Sequence, residues 1–261
     1  MRLCIIGRHG QLATALAEEA ARSGVETRQL GRPECDLAQD IDLPGLLQGW
    51  TPDIVINAAA YTAVDAAEHD EATAHCVNAT GPHRLAQATA ALDIPLIHVS
   101  TDYVFDGLKA TPYTEEDCPH PTSVYGRTKL EGERLVAAAN PRHAILRTAW
   151  VYSHTGQNFV RTMMRLASRG EVPVVSDQFG CPTYAPDLAR ASLAVARNLC
   201  AAQPGDPRFG LFILRAGAIQ AGRALRRLSS MAWRRPAHPP SPARFRRWTS
   251  RPRCADRQIH G

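Results

Sequence analysis

The sequence has no long apolar run. No stretch approaches the ~18–20 consecutive apolar residues that a membrane-spanning helix needs, so a membrane partner is not expected. It also lacks a recognisable leader. Met1-Arg2-Leu3-Cys4-Ile5-Ile6-Gly7 enters a strand pattern at once, with no cleavage region of a signal peptide, and a cytoplasmic location is expected. No C-x-x-C pair is present. The seven cysteines are scattered and odd in number, which excludes a disulfide framework and an obvious zinc site. No internal repeat is evident. Acid is nearly absent from the C-terminal stretch. Residues 215–261 hold twelve arginines, no lysine and one acid, Asp256. The formal net charge of +5 therefore misleads. Without that stretch 18 basic and 24 acidic residues remain, a balance of −6, so the basic balance does not argue for a nucleic-acid-binding body. No nucleic acid partner is expected.

What is present is alternation of buried strand and helix patterns, which predicts an α/β fold with a doubly wound parallel sheet, Rossmann-like. Strands are expected at 2–6, 25–30, near Asp36-Leu37, at 52–60, 94–99, 144–152 and 172–175. Helices are expected from Leu12, over 41–50, after Thr62, over 72–91, from Tyr125, from Asn158, and over 186–199. Asn78 is expected to hold its helix in register against the sheet. The body ends near Phe209-Gly210-Leu211-Phe212-Ile213-Leu214. This divides the chain into 1–214, a dinucleotide-binding domain with part of a small, incomplete C-terminal substrate lobe, and 215–261, an Arg/Pro-rich tail. That tail cannot bury enough apolar surface to offset its ordering entropy. It is expected to be disordered, out of frame, or otherwise not the native continuation.

Gly7-Arg8-His9-Gly10-Gln11-Leu12-Ala13 lies between the first strand and the first helix. A glycine turn there lets backbone approach a pyrophosphate, and the helix N-terminus offers unpaired N–H groups and positive dipole. Ala13 is small enough for close helix–strand contact. The acid that binds a ribose at the end of the second strand is missing, and Arg32 follows instead, which suits a 2′-phosphate and tilts toward NADPH over NADH. Ser100-Thr101-Asp102-Tyr103-Val104-Phe105-Asp106-Gly107 follows an apolar strand, and Tyr125-Gly126-Arg127-Thr128-Lys129 opens an amphipathic helix. Tyr125 and Lys129, four apart, share one helix face. An ammonium near a phenol lowers its pKa and makes it a usable acid or base. Thr101 can aim a hydroxyl at the same substrate oxygen. Tyr-x-x-x-Lys alone is also a common surface pair.

The order of these pieces, with Asn57-Ala58-Ala59-Ala60-Tyr61-Thr62-Ala63-Val64-Asp65, Arg147-Thr148-Ala149-Trp150-Val151-Tyr152 and Asp177-Gln178-Phe179-Gly180-Cys181-Pro182-Thr183, resembles the dTDP-4-dehydrorhamnose reductase family. That family lies within the extended short-chain dehydrogenase/reductase group. The resemblance covers roughly residues 1–214. It implies reduction of the C4 ketone of a dTDP-4-dehydro-L-rhamnose with NADPH or NADH, in dTDP-rhamnose biosynthesis. It implies Tyr125 as the acid that protonates the C4 alkoxide, Lys129 as the group that lowers its pKa and holds the nicotinamide ribose, and Thr101 at the carbonyl oxygen. Asp102 and Trp150 would face the sugar. Gly7, Gly10, Gln11 and Leu12 would lie at the pyrophosphate, Asp36 and Leu37 at the adenine, and Ala60, Tyr61 and Thr62 along the ribose and nicotinamide. Some members use Mg²⁺ and form homodimers, and no carboxylate site for the metal is evident in the sequence. After Gly210-Leu211-Phe212-Ile213-Leu214 the likeness to the family's closing lobe is lost. Two other readings use the same fold: a non-catalytic dinucleotide-binding regulatory subunit and a nucleotide-sugar epimerase. The intact Thr101, Tyr125 and Lys129 set disfavours the first, and the strings around Thr101 and Trp150 point away from the second.

Overall fold

The computed structural model describes residues 1–166 and 180–214. The elements run β1 (Arg2–Ile6), α1 (Gln11–Arg22), β2 (Glu26–Leu30), α2 (Leu43–Gln48), β3 (Ile54–Asn57), α3 (Val64–Ala67) and α4 (Glu71–His75). They continue with α5 (Gly81–Ala91), β4 (Leu96–Thr101), α6 (Val124–Ala139), β5 (His143–Thr148), β6 (Val151–Tyr152), α7 (Phe159–Leu166), β7 (Thr183–Tyr184), α8 (Ala185–Cys200) and β8 (Gly210–Ile213). Among the described residues the main sheet has six strands, all parallel, in the order β2-β1-β3-β4-β5-β8. The expected doubly wound parallel sheet is therefore borne out.

The alternating side chains of each strand feed two cores. Leu3 and Ile5 of β1, Ile54 and Ile56 of β3, and Leu146 of β5 pack with Leu12 and Leu16 of α1 and Leu188, Leu193 and Leu199 of α8. Cys4 and Ile6, Val55, Leu96 and Ile145 face the other way, against Leu43 and Leu47 of α2, Leu85 of α5 and Val136 of α6. Burial on both sides explains why these strands read as continuous apolar runs. Each large side chain so buried contributes about 1.5–3 kcal/mol. The chain winds in opposite directions from β1 and from β3, so the crevice between their C-terminal ends is the switch point where such sheets take ligands.

Several sequence expectations are corrected. The strand expected over 52–60 ends at Asn57. Asp36 and Leu37 form no strand; Asp36 Oδ1 instead accepts from the backbone N–H of Ala38 at 3.0 Å, closing an Asx turn. The helix expected over 41–50 is confined to α2, opened by Asp42, whose carboxylate accepts from the N–H of Gly45. The long helix expected over 72–91 is α4 and α5 joined by one π turn, Cys76–Thr80. Asn78 in that turn ties its helix to the chain just beyond β3. Its amide clamps both backbone groups of Tyr61, accepting from N–H at 2.9 Å and donating to C=O at 3.1 Å, and donates to Thr128 at 3.2 Å. The strand expected over 144–152 breaks at Trp150, whose φ is +47°. β5 stays in the main sheet, while β6 pairs with β7 in a separate two-stranded ribbon. The strand expected at 172–175, part of the 177–183 loop, and the tail from 215 lie outside the described residues.

Candidate active site

The glycine turn forms as its composition demands. Gly7 has φ +130°, and a Cβ there would stand 3.2 Å from that of Ala13 and 3.4 Å from the Ala58 carbonyl carbon. Only glycine takes this backbone without strain, and the small Ala13 lets α1 approach β1. Gly10 caps α1 without a side-chain acceptor, and no acid lies in the first turn. The opening N–H groups and positive dipole of α1 therefore remain available to an anion. A Cβ built on Gly10 meets nothing within 4 Å, so space lies open before the helix.

The expected cofactor-side residues divide in their surroundings. Leu12 is buried in the core, so only its backbone faces the turn. Gln11 sends its side chain elsewhere. It donates to the Val151 carbonyl at 3.3 Å and accepts from Asn158 at 2.9 Å, tying the glycine turn to β6 and the start of α7. Arg32 is exposed in the loop after β2. Arg8, in the glycine turn itself, pairs with Glu34 of that same loop at 2.9 Å, a pairing across 26 residues that no local pattern marks. Leu37 is buried and its carbonyl accepts from Arg84 at 2.9 Å. Ala60 and Tyr61 are half-buried beyond β3 and Thr62 is exposed. Near neighbours keep the Tyr61 phenol above its ordinary range: burial first, then Asp70.

Thr101 ends β4 at its C-terminal edge, where its hydroxyl accepts from the N–H of Tyr103 and contacts Asp102 Oδ1, both at 3.2 Å. Tyr125 sits on the first turn of α6. Ser123 accepts from the N–H of Gly126 at 3.1 Å and Glu68 from that of Val124 at 2.8 Å, which fixes the helix start. A Cβ on Gly126 would lie 2.2 Å from the Tyr103 carbonyl oxygen, so the Tyr-Gly sequence lets α6 close on the turn after β4. The rings of Tyr103 and Tyr125 then meet edge to face at 5.5 Å. Thr101 is close enough to Tyr125 to lower the pKa of its phenol. The structure thus brings Thr101, Asp102 and Tyr125 together.

The electrostatics correct one expectation. The Tyr125 phenol is pushed up to about 12, by burial first, with Thr101 opposing and Asp102 and Tyr103 adding to the rise. Lys129 does not lower it here. Lys129 is itself buried on the inner face of α6, and Nζ donates to the Val99 carbonyl at 2.7 Å and contacts His98 Nε2 at 3.4 Å. Loss of solvent brings the Lys129 ammonium down to about 8, against the attraction of Glu133. The Asp102 carboxyl is raised to about 6, chiefly by burial.

Two further features had no clear mark in the sequence. Arg147 of β5 makes a buried fork with Glu133 of α6, at 2.9 and 2.6 Å, and Ser100 donates to the same carboxylate at 2.5 Å. Arg147 also lies over the ring of Phe105 at 4.9 Å. Trp150 is half-buried rather than a core aromatic, and its indole lies against Gly180. A bulky residue at positive φ is strained, and such strain is held only where the surroundings impose it. Among the described residues no group of three or more His, Cys, Asp or Glu side chains is placed to hold a metal ion. No described helix is long and apolar enough to cross a membrane.

Residues 1–218 match the family described as the RmlD substrate binding domain. The chain belongs to this family. It is 52% identical over 215 residues to a dTDP-4-dehydrorhamnose reductase of Sinorhizobium fredii, covering 82% of this chain and 72% of the relative. A crystal structure of a dTDP-4-dehydrorhamnose reductase from Clostridium acetobutylicum superposes with a TM-score of 0.77 at 38% identity, over 84% of this chain and 75% of that one. A dTDP-4-dehydrorhamnose reductase from Bacillus anthracis, solved in complex with NADP, gives a TM-score of 0.77 at 32% identity, over 83% and 75%. This RmlD-family chain spans between 60 and 72% of the length of such curated reductases.

Proposed function

We propose that this chain reduces the C4 ketone of dTDP-4-dehydro-L-rhamnose to dTDP-L-rhamnose with NADPH or NADH. The observation that carries the reading is the meeting of Thr101, Asp102 and Tyr125 at the C-terminal end of β4, in a chain of the RmlD family. The residues fit a dinucleotide. The turn at Gly7, the uncapped start of α1 and the open space at Gly10 form a cradle for a pyrophosphate. Gly10 and the backbone of Gln11 and Leu12 would hold the phosphates. Arg32 would face a 2′-phosphate, Asp36 and Leu37 the adenine, and Ala60, Tyr61, Thr62 and Lys129 the ribose and nicotinamide. When bound, NAD(P)H supplies the hydride for the ketone.

The chain's own residues do the rest. Burial keeps the Tyr125 phenol protonated throughout the neutral range, since its pKa lies near 12. That is the form needed to give a proton to an emerging C4 alkoxide. Thr101 would hydrogen-bond the same oxygen and orient it toward the phenol. Asp102 and Trp150 would contact the sugar. β6, α7 and β7 form the beginning of the substrate lobe, tied to the glycine turn through Gln11. The nucleotide-sugar is the partner in this reading, with no nucleic acid and no membrane. A cytoplasmic homodimer is the working assembly we propose.

The test is oxidation of NADPH followed at 340 nm with dTDP-4-dehydro-L-rhamnose, on the chain as it stands. Formation of dTDP-L-rhamnose supports the proposal. Cofactor binding without substrate-dependent oxidation would favour the regulatory reading instead.

A further inference from the structure

His98 lies in the middle of β4 with no exposed surface. The mechanism above does not use it, yet its ring stands between two polar side chains. On one side Asn57, the last residue of β3, approaches Nδ1 through its amide nitrogen at 3.1 Å. On the other side Nε2 faces Lys129 Nζ at 3.4 Å.

The proton on this ring can be placed by elimination. The backbone N–H of Ala59 points at Asn57 Oδ1 at 3.1 Å, and a backbone N–H can only donate. The amide oxygen of Asn57 is thereby fixed toward Ala59, and its NH₂ group toward His98. Nδ1 must then accept. Burial, Lys129 and His143 all hold the imidazole well below its ordinary range, so it is neutral. A neutral ring that accepts at Nδ1 carries its proton on Nε2. That N–H is directed at Lys129.

We propose that His98 is a positioning residue for Lys129: Asn57 fixes its Nε2–H tautomer, and that N–H, facing Nζ beside the Val99 carbonyl, favours the amine form of the lysine over the ammonium. An ammonium has no lone pair to accept this hydrogen bond, whereas an amine does. The remaining charged neighbours do not reverse the balance. Glu133, on the same helix, attracts a proton to Lys129, but its carboxylate is forked by Arg147 of β5 and also accepts from Ser100 of β4. His143 of β5 is held neutral by burial. Asp102 acts on Tyr125. The lowering of Lys129 to about 8 agrees in direction. The meaning for turnover rests on the reductase reading, because Lys129 belongs to its proposed machinery. The geometry does not.

The chain contains only two lysines, Lys109 and Lys129. Labelling with ¹⁵N-lysine therefore gives two Nζ resonances, and Lys109→Arg assigns them. Their titration is followed by NMR in the unmutated chain, His98→Asn and His98→Gln. Glutamine sets an amide N–H where Nε2 stood, while asparagine reaches only as far as Nδ1. We expect the Lys129 midpoint to rise by about half a pH unit or more in His98→Asn, and to stay near its original value in His98→Gln. One midpoint shared by all three proteins overturns the proposal. If neither variant folds, the ¹⁵N shifts of the non-titrating histidine ring in the unmutated chain decide. A proton on Nε2 supports the proposal, and a proton on Nδ1 refutes it. Neither measurement involves substrate, so a failed reductase assay and a failed tautomer assignment remain distinguishable.

Discussion

The sheet half of the molecule and the small lobe formed by β6, α7 and β7 are built on different principles. Around β4 and α6 even the polar groups are buried and partnered: Ser100, Glu133 and Arg147 bond one another, and Asn57, His98 and Lys129 form a chain. In the lobe, α7 has no buried residue, and Phe159 and Met164 are 51% and 73% exposed. A cleft of about 430 Å³ lies beside it, lined by Tyr152, His154, Arg161, Met164 and Tyr184 among others. The groups of the candidate site thus stand on the regular elements of the sheet half, while α7 leaves apolar surface open. Chemistry needs atoms held to a fraction of an ångström, while apolar contact tolerates looser placement.

The sharpest way to break this comparison is at Tyr125. Tyr125→Phe keeps the ring in its pocket and removes only the hydroxyl that carries the proton. Turnover should fall by about 10²–10⁴-fold with cofactor affinity preserved, as measured by kcat beside a fluorescence titration with NADPH. A near-normal kcat would remove Tyr125 from the reaction.

The next test sets one region directly against the other. Glu133→Gln leaves the buried Arg147 without its countercharge and should cost about 3–5 kcal/mol in urea unfolding. Met164→Ser, on exposed α7, should stay within about 0.5 kcal/mol. Equal losses would mean that the lobe is as tightly packed as the sheet.

The smallest effect is expected at the rim. If Arg32 reads a 2′-phosphate, Arg32→Ala should weaken NADPH by about tenfold, worth about 1.4 kcal/mol, and leave NADH nearly unchanged. The neighbouring Arg8 is already paired with Glu34, which leaves Arg32 as the exposed cation of that loop. An equal loss for both cofactors would rule out this role.

The sequence alone determined the strand–helix alternation, the glycine turn and the shared helix face of Tyr125 and Lys129. Each follows from local pattern. Runs such as Ile54–Ile56 are apolar because both faces of a parallel strand are covered, and the Tyr-x-x-x-Lys spacing is a helical one. Pattern also carried the family resemblance, which rests on strings of adjacent residues. What only the tertiary structure decided depends on residues far apart in the chain. The direction of Lys129 was set by Val99 and His98, some thirty residues earlier, so it did not lower the phenol of Tyr125 as helix geometry alone suggested. The ends of the 144–152 strand were separated by the positive φ of Trp150. The proton on His98 was fixed by Asn57 and Ala59 of the neighbouring strand's end. Spacing along a chain can place two side chains on one face, but burial and long-range hydrogen bonds decide where they point and which of them is charged.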